Sequence, residues 1–343
     1  MKAAIIDKPG ELVIRDIPRP VMGDYDVECE ILFGATCTGT DLHLIDGVFP
    51  WPPTYPAILG HESIGRVIKV GPRVRNFHPG DLVTRVGVPT MPEHGLDSCW
   101  GGFAEYGIAK DHWTMRKDGL PPENWSNYRV NQVIPGDIDP GAATMLITWR
   151  ETFSYLTRMG VSRDATVLVI GSGGNGLSFI NHAANLGAKT IYMVGSATRE
   201  KTARQAGANH YSDFRLNHWQ QQVNQICPDG FDFVIDAIGK VTSSQVAIEH
   251  VRRGGKIGLY GIDDFGLAQI NPFKARGPFS YYPNEYDEAE AHCAIVDFLL
   301  AGKLDASLWM DCLNPYPFER IGEAYLSVRR KEKIKNLVRI KEE

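Results

Sequence analysis

The sequence lacks the features by which membrane, secreted and nucleic-acid-binding proteins are usually recognised. It has no run of 18 apolar residues, and its first residues read as a strand instead of a signal peptide. The six cysteines include no CxxC pair, which favours reduced thiols over a disulfide framework. A net charge of −5 without a basic stripe argues against nucleic acid as a partner. We therefore expect a cytoplasmic protein that neither spans a membrane nor binds nucleic acid.

The sequence does contain enough apolar material for two domains, since 43% of its 343 residues are hydrophobic. The first 150 residues are rich in strands and turns, as in the runs 27–32, 63–70 and 82–88. Further on, strands and helices alternate: strands are expected at 166–170, 190–194, 231–236 and 255–260, and helices at 177–186, 199–206 and 242–252. This alternation predicts an α/β fold with a doubly wound parallel sheet.

A glycine-rich turn follows the apolar strand 166–170. Its motif is Gly-x-Gly-x-x-Gly, and it runs into the predicted helix 177–186. Backbone N–H groups and the positive end of the helix dipole meet there, so a pyrophosphate can bind. We expect the turn to bind a dinucleotide through the residues Gly171, Ser172, Gly173, Gly174, Asn175 and Gly176. The alternative is a glycine-rich turn without a ligand.

The end of the second strand lacks the acidic residue that NAD sites usually carry there. Residues 195–201 read GSATREK instead. A carboxylate would accept hydrogen bonds from the ribose hydroxyls of NAD, whereas Ser196, Arg199 and Lys201 offer a hydroxyl and two cations that suit the 2′-phosphate of NADP. We therefore expect NADP in preference to NAD. The alternative is that Arg199 and Lys201 only face solvent.

Short motifs along nearly the whole chain resemble one known family. They are GTDLH at 39–43, GHESIGRV at 60–67, PGDLV at 79–83, the glycine motif, and DAIG at 236–239 with GGKI at 254–257. In these motifs the chain is similar to the zinc-type medium-chain dehydrogenases and reductases, which include alcohol, sorbitol, threonine and archaeal glucose dehydrogenases. The resemblance implies a GroES-like β-rich catalytic domain at residues 1–150 and 285–343. It also implies a Rossmann nucleotide-binding domain at 151–284, in which Ile238 contacts the cofactor.

The resemblance implies hydride transfer between a nicotinamide and an alcohol, polyol or sugar, or the matching carbonyl compound. Thr40 matches the position of a hydroxyl that relays the proton, and His43 matches the position from which some members pass it to solvent. Plainer roles are a helix N-cap for Thr40 and a surface histidine for His43.

The same resemblance implies one catalytic zinc per chain. His61 corresponds to the histidine ligand, and Glu62 to a carboxylate that lies next to the ligands and can also approach the metal. The usual cysteine position is occupied by Thr38, so Cys37, one residue earlier, is the expected thiolate ligand. We therefore expect zinc on Cys37, His61 and Glu62, with water in the fourth position.

The usual third-ligand position falls on Ile147, which cannot coordinate a metal. Two alternatives therefore remain open. Zinc is held with a substitute ligand, Asp41 or Glu151, or the protein is metal-free and His61 pairs with Glu62. No structural zinc is expected, because residues 88–102, which match a four-cysteine segment of many relatives, contain only Cys99.

Substrate and assembly are less defined by the sequence. The resemblance places aromatic residues beside the reacting centre, namely Phe49, Trp51, Tyr55 and Trp100, and polar residues Glu93, His94 and Asp97 favour a polyol or sugar as the small-molecule partner. Two rival functions remain: a metal-free quinone, enone or carbonyl reductase, and a non-catalytic NADPH-binding protein. The relatives imply a homodimer or homotetramer, joined near the strand expected at 275–283.

Overall fold

A computed structural model of the chain describes residues 1–267, 270–283 and 285–341. The chain divides into two units, one made of residues 1–147 and 288–343 and the other of residues 148–287. The resemblance implied domain limits at residue 150 and at residues 284–285, of which residue 284 lies outside the described residues. Among the helices of the described ranges, none has the length and apolar character needed to cross a membrane.

The regular elements are numbered in chain order. The strands are β1 (Lys2–Lys8), β2 (Glu11–Asp16), β3 (Asp26–Ala35), β4 (Ala57–Ile58), β5 (Ser63–Val70), β6 (Leu82–Thr84), β7 (Asp97–Ser98), β8 (Tyr106–Lys110), β9 (Val133–Ile134), β10 (Thr166–Ile170), β11 (Thr190–Gly195), β12 (His210–Asp213), β13 (Phe231–Asp236), β14 (Val251–Leu259), β15 (Ser280–Tyr282), β16 (Tyr316–Pro317) and β17 (Leu337–Arg339). The helices are α1 (Thr40–Asp46), α2 (His112–Lys117), α3 (Pro140–Ala143), α4 (Met145–Met159), α5 (Gly174–Asn185), α6 (Glu200–Gln205), α7 (Trp219–Ile226), α8 (Val241–His250), α9 (Glu288–Leu300) and α10 (Ile321–Arg329).

The first unit is built around the long strand β3, which is buried along nearly its whole length. One sheet runs in the order β16-β17-β3-β5-β6-β9, with β8 also paired to β3, and a second runs β2-β1-β4-β7. Buried apolar side chains such as Ile31, Val67 and Phe103 form the core. Burial of this apolar surface is the main stabilising contribution to the unit.

Three strand ends meet at one edge of the first sheet. β3 and β5 are antiparallel with Gly34 opposite Ser63, so the end of β3 adjoins the start of β5. β17 is also antiparallel to β3, with Leu337 opposite Ala35. The residues just outside these strand ends, 36–41, 60–62 and 335–336, are therefore brought together although they are far apart in sequence.

The second unit contains a parallel sheet with the order β12-β11-β10-β13-β14-β15. Each neighbouring pair is parallel, as in β10 with β11 and β13. Parallel strands need crossover connections, and the helices α5 and α8 supply them after β10 and β13. The observed sheet confirms the predicted doubly wound α/β class.

Local predictions were wrong at several element ends. The expected strand 82–88 stops at Thr84, because Arg85 adopts a left-handed backbone with φ of 57°. The expected helix 242–252 ends at His250, since β14 begins at Val251. Strand β12 was not predicted, because its sequence HYSD has neither an apolar run nor clear alternation.

Candidate functional site

The strand ends in the first unit carry a buried group of potential metal ligands. Cys37 lies in the loop between β3 and α1, and His61 and Glu62 lie in the loop between β4 and β5. One ligand atom from each of these residues, the Cys37 sulfur, a His61 nitrogen and a Glu62 oxygen, lies within 4.8 Å of the others. All three residues are buried. The structure thus brings together the three residues that the sequence predicted as a metal site.

The Asp41 carboxylate lies beside the His61 ring. The Oδ1 atom of Asp41 lies 3.0 Å from Nδ1 of His61, and the Nε2 atom lies 3.8 Å from Oε1 of Glu62. A carboxylate beside Nδ1 favours the proton on that nitrogen, so the lone pair is on Nε2 in the neutral ring. Burial lowers the pKa of His61, but Asp41 and Cys37 outweigh this effect and raise the pKa well above its ordinary value.

The other oxygen of Asp41 fixes its position. Oδ2 accepts a hydrogen bond from the backbone N–H of Cys37 at 2.8 Å and another from the Tyr325 hydroxyl at 2.7 Å. Tyr325 lies on α10 near the end of the chain and was not predicted as part of the site. Asp41 was considered as a substitute metal ligand. In the structure its carboxylate instead faces Nδ1 of His61, a typical partner for a metal-binding histidine.

Lys335 is a second residue of this site that was not predicted. Its ammonium group donates to both oxygens of Glu62, with a distance of 2.6 Å to Oε1, and both side chains are 2% exposed. Burial lowers the pKa of Lys335, but Glu62 and Cys37 outweigh this effect and raise it. Lys335 therefore remains charged and fixes the Glu62 carboxylate. Each carboxylate oxygen has two lone pairs, so Glu62 can bind Lys335 and still accept a metal.

The donor set fits zinc. Thiolate sulfur, imidazole nitrogen and carboxylate oxygen are all zinc ligands in proteins, and three protein ligands plus an open position are typical of catalytic sites. With Cys37 as thiolate and His61 neutral, the states that metal binding requires, the anionic charges of Cys37, Asp41 and Glu62 exceed the single positive charge of Lys335 by two. A divalent cation would neutralise this excess in a buried place where uncompensated charge is costly.

Two further residues were considered for the zinc site, one as the usual third-ligand position and one as a substitute ligand. Ile147 is fully buried among the apolar residues of the core. Glu151 lies on α4 in the second unit, where it accepts a hydrogen bond from the Tyr260 hydroxyl at 3.2 Å. Neither residue belongs to the ligand cluster found in the described part of the chain.

Helix α1 carries the two residues expected to transfer the proton. The helix starts at Thr40, and its N-cap is Gly39, which makes no side-chain capping bond. The N-cap role considered for Thr40 is therefore wrong, because the residue is already the first residue of the helix. His43 places Nδ1 at 2.6 Å from the carbonyl oxygen of Gly39, which requires the proton on Nδ1.

An aromatic side chain covers the metal-ligand cluster. The Trp100 ring lies 5.3 Å from the His61 ring, and 44% of the residue is exposed. Trp100 has φ of 64°, and the neighbouring Arg85, whose guanidinium lies 5.6 Å from the Trp100 ring, also has a positive φ. Residues with such backbone angles are concentrated at functional sites. Trp100 therefore lies beside His61, and its contact with a substrate stays a prediction.

The glycine-rich turn of the second unit has the geometry of a phosphate-binding loop. Gly171 has φ of 109°, and a Cβ atom there would lie 2.7 Å from the Ile238 side chain. A Cβ atom on Gly176 would lie 1.9 Å from the carbonyl oxygen of Gly171, so a larger residue cannot fit. Helix α5 starts at Gly174, directly after the exposed Gly173, and Asn175 is half-buried in its first turn. The positive end of the helix dipole thus lies directly after the turn, where it favours an anionic group.

The turn after β11 carries the residues expected to distinguish NADP from NAD. The Ser196 N–H donates to the Ser172 hydroxyl at 3.1 Å, and the Tyr211 hydroxyl donates to the Ser196 carbonyl at 2.5 Å. Burial raises the pKa of Tyr211 to about 12, so it is a neutral donor. Arg199 is half-buried and Lys201 is exposed at the start of α6. The described residues of this turn, 195–201, hold no carboxylate except Glu200, which pairs with Arg204 at 2.9 Å.

Two family models match the chain in the regions just described. The alcohol dehydrogenase GroES-like domain matches residues 24–119, and the zinc-binding dehydrogenase domain matches residues 174–284. The crystal structure of benzyl alcohol dehydrogenase from Acinetobacter calcoaceticus has the same fold, with a TM-score of 0.81 at 19% identity over 99% of each chain. A GroES-like unit with a buried Cys-His-Glu cluster, combined with a Rossmann unit, defines the class of two-domain dehydrogenases.

Known relatives identify the family within this class. The NADP-dependent isopropanol dehydrogenase of Clostridium beijerinckii is 31% identical over 268 residues, which cover 74% of each chain. The sorbitol dehydrogenase of Bacillus subtilis is 25% identical over 315 residues, covering 89% of this chain and 87% of that protein. The chain belongs to the zinc-type medium-chain dehydrogenase/reductase family and is an oxidoreductase. This membership disfavours the non-catalytic alternative.

Proposed function

We propose that the protein is an NADP(H)-dependent oxidoreductase that transfers a hydride between the nicotinamide and an alcohol, polyol or sugar hydroxyl, or the matching carbonyl, with the help of one zinc ion. The observation that carries this proposal is the buried cluster of Cys37, His61 and Glu62, with Asp41 on the far nitrogen of His61. The alcohol and sorbitol dehydrogenases among the relatives support this substrate class.

Cys37, His61 and Glu62 would hold the metal. When bound, zinc would act as a Lewis acid that lowers the pKa of the substrate hydroxyl. Asp41, whose Oδ1 lies 3.0 Å from Nδ1 of His61, would favour the proton on that nitrogen, and Lys335 holds the Glu62 carboxylate in place. Thr40, at the start of α1, would take the proton from the substrate hydroxyl, and His43 on the same helix would pass it to solvent.

In the second unit, the backbone of residues 171–176 would bind the pyrophosphate of the cofactor, and Ile238 would pack against it. Ser196, Arg199 and Lys201 would bind the 2′-phosphate of NADP, the hydroxyl by a hydrogen bond and the cations by charge. The name of the isopropanol dehydrogenase, which is NADP-dependent, agrees with this preference.

A metal-free carbonyl or enone reductase is the second candidate, and the apolar Ile147 at the usual third-ligand position favours it. The buried convergence of Cys37, His61 and Glu62 argues against it, because three kinds of zinc ligand lie within 4.8 Å of one another. A metal-free reductase would keep its turnover without metal, whereas a zinc-dependent dehydrogenase would lose it. Measuring turnover without metal therefore separates the two candidates.

We also propose a cytoplasmic homodimer or homotetramer without a structural zinc. Strand β15 is the last strand of the parallel sheet, and its Tyr281 side chain is partly exposed, so a second copy would pair at this edge.

The Arg199→Ala variant tests the proposed function. The wild type is expected to reduce NADP in the presence of a panel of secondary alcohols, polyols and sugars, and to bind NADPH more tightly than NADH in a fluorescence titration. In the variant, NADPH affinity should fall about 10- to 100-fold, because a charge-assisted hydrogen bond contributes roughly 1.5–3 kcal/mol. NADH affinity should not change.

The matched control is Arg252→Ala, which removes a cation of the second unit that is paired with Asp232 near the amino end of β13. It should leave both affinities as they are. Equal weakening of NADPH and NADH by Arg199→Ala, or a wild type without preference for NADPH, would contradict the proposed cofactor.

A further inference from the structure

A carboxylate lies close to the proposed 2′-phosphate site, on the neighbouring strand. Asp213 is the last residue of β12 and lies opposite Gly195, the last residue of β11, in the parallel register. The next residue, Phe214, donates its backbone N–H to the carbonyl oxygen of Gly195 at 3.1 Å. Asp213 therefore stands next to the turn that begins at Ser196, although it is absent from the turn itself.

The side chain of Asp213 lies on the same face of the sheet as Tyr211, because side chains alternate along a strand. The Tyr211 hydroxyl donates to the Ser196 carbonyl at 2.5 Å, so this face is the one that contacts the turn. The charges of Asp213, Glu200 and Arg199 all act on Tyr211. An ionised Asp213 is thus near enough to oppose an anion bound at Ser196 and Arg199.

Arg215 pairs with this carboxylate through several contacts. Its Nε atom lies 3.1 Å from Oδ1 and 3.2 Å from Oδ2 of Asp213, and its Nη2 atom lies 3.0 Å from Oδ2. The Arg215 backbone N–H also donates to Oδ1 at 3.1 Å. The Asp213 side chain is only 15% exposed, whereas that of Arg215 is 56% exposed. The pair therefore presents a cation to solvent and covers the carboxylate.

We propose that Arg215 is a positioning residue for cofactor choice: by holding and neutralising Asp213, it prevents this carboxylate from repelling the 2′-phosphate of NADP. The inference rests on the proposed NADP preference and extends it to the neighbouring strand. Without Arg215, Asp213 would act as the acidic residue of an NAD site does, which excludes a second phosphate by charge. No sequence pattern indicated this role, because β12 was not predicted.

The test uses binding instead of turnover. Calorimetry on the full chain would measure the dissociation constants of adenosine 2′,5′-bisphosphate and of adenosine 5′-monophosphate, which differ only in the 2′-phosphate. Arg215→Ala should weaken the bisphosphate about fivefold, as expected for one partly exposed charge acting on a doubly charged group, and leave the monophosphate unchanged. Arg215→Lys should retain most of the preference, since it keeps the charge.

Removing the Asp213 carboxylate should restore the bisphosphate binding that Arg215→Ala weakens. The double variant Asp213→Asn with Arg215→Ala should bind the bisphosphate nearly as tightly as the wild type does. The control is Arg252→Ala, which breaks a similar pair with Asp232 near the amino end of β13, whereas the turn follows the carboxyl end of β11; it should change neither constant.

The two proposals fail in different ways. Equal affinity of the wild type for both nucleotides would overturn the NADP preference itself, and this inference with it. A wild-type preference that Arg215→Ala leaves intact, an equal loss for both nucleotides, or a loss that Asp213→Asn does not restore would overturn the role of Arg215 alone.

Discussion

Replacement of Cys37 by serine is expected to remove zinc from the protein and to lower turnover about 10³-fold or more, since loss of a Lewis acid costs several kcal/mol in the transition state. Cys37 is the only sulfur in the ligand cluster of the described residues, and a serine hydroxyl is a poor replacement for a thiolate. Elemental analysis of the purified variant and its turnover with NADP and the best alcohol substrate measure both effects.

The control for this variant is Cys99→Ser. Cys99 is also buried in the first unit, but it does not belong to the cluster of Cys37, His61 and Glu62. The Cys99→Ser protein should keep zinc and most of its turnover. NADPH binding should be normal in both variants, because the nucleotide residues lie in the second unit. A Cys37→Ser protein that keeps its turnover would favour the metal-free reductase.

Replacement of Lys335 by methionine is expected to lower the free energy of unfolding by about 3–5 kcal/mol, the usual cost of leaving one partner of a buried ion pair alone. Lys335 and Glu62 are each 2% exposed, and the ammonium group donates to both carboxylate oxygens. Methionine has a similar length, so the change mainly removes the charge. Urea unfolding in the presence of a chelator measures the effect without a contribution from bound metal.

Two further variants separate the charge effect from loss of packing. Adding Glu62→Gln to Lys335→Met removes the unpaired carboxylate and should restore most of the lost stability. Lys2→Met breaks the exposed pair with Glu319, whose side chains are 46% and 63% exposed, and should have little effect. A Lys335→Met protein as stable as the wild type would show that the pair of Lys335 and Glu62 does not contribute to the free energy of unfolding.

The fold was largely predictable because its signals are local. Residues 166–170 and 231–236 are segments of strand length that are rich in β-branched, aromatic or other apolar residues, and the structure has strands with these bounds. The glycines at 171, 173 and 176 fix the turn that follows, since two of them have no room for a side chain. Polar segments such as β12 carry no comparable signal, and their pairing with β11 depends on the whole sheet.

The site was predictable only in part, because local sequence signals cover some of its residues and not others. Cys37, His61 and Glu62 stand in short motifs near the start of the chain, and the sequence predicted them together. Tyr325 and Lys335, which hold Asp41 and Glu62, come from almost 300 residues further along. They reach the site because β17 pairs with β3, and no local pattern indicates that pairing. The one sequence signal for Lys335 is its place just before the last strand, where a buried lysine is unusual.

The central claim is that one zinc ion is bound by Cys37, His61 and Glu62. Zinc X-ray absorption spectroscopy on the purified wild-type protein tests it most directly, since it reports the metal and its ligand atoms together. The account predicts about one zinc per chain with one sulfur at about 2.3 Å and the remaining nitrogen or oxygen ligands at about 2.0–2.2 Å. A protein purified with zinc in the growth medium that holds none, or zinc bound without sulfur, would contradict the account.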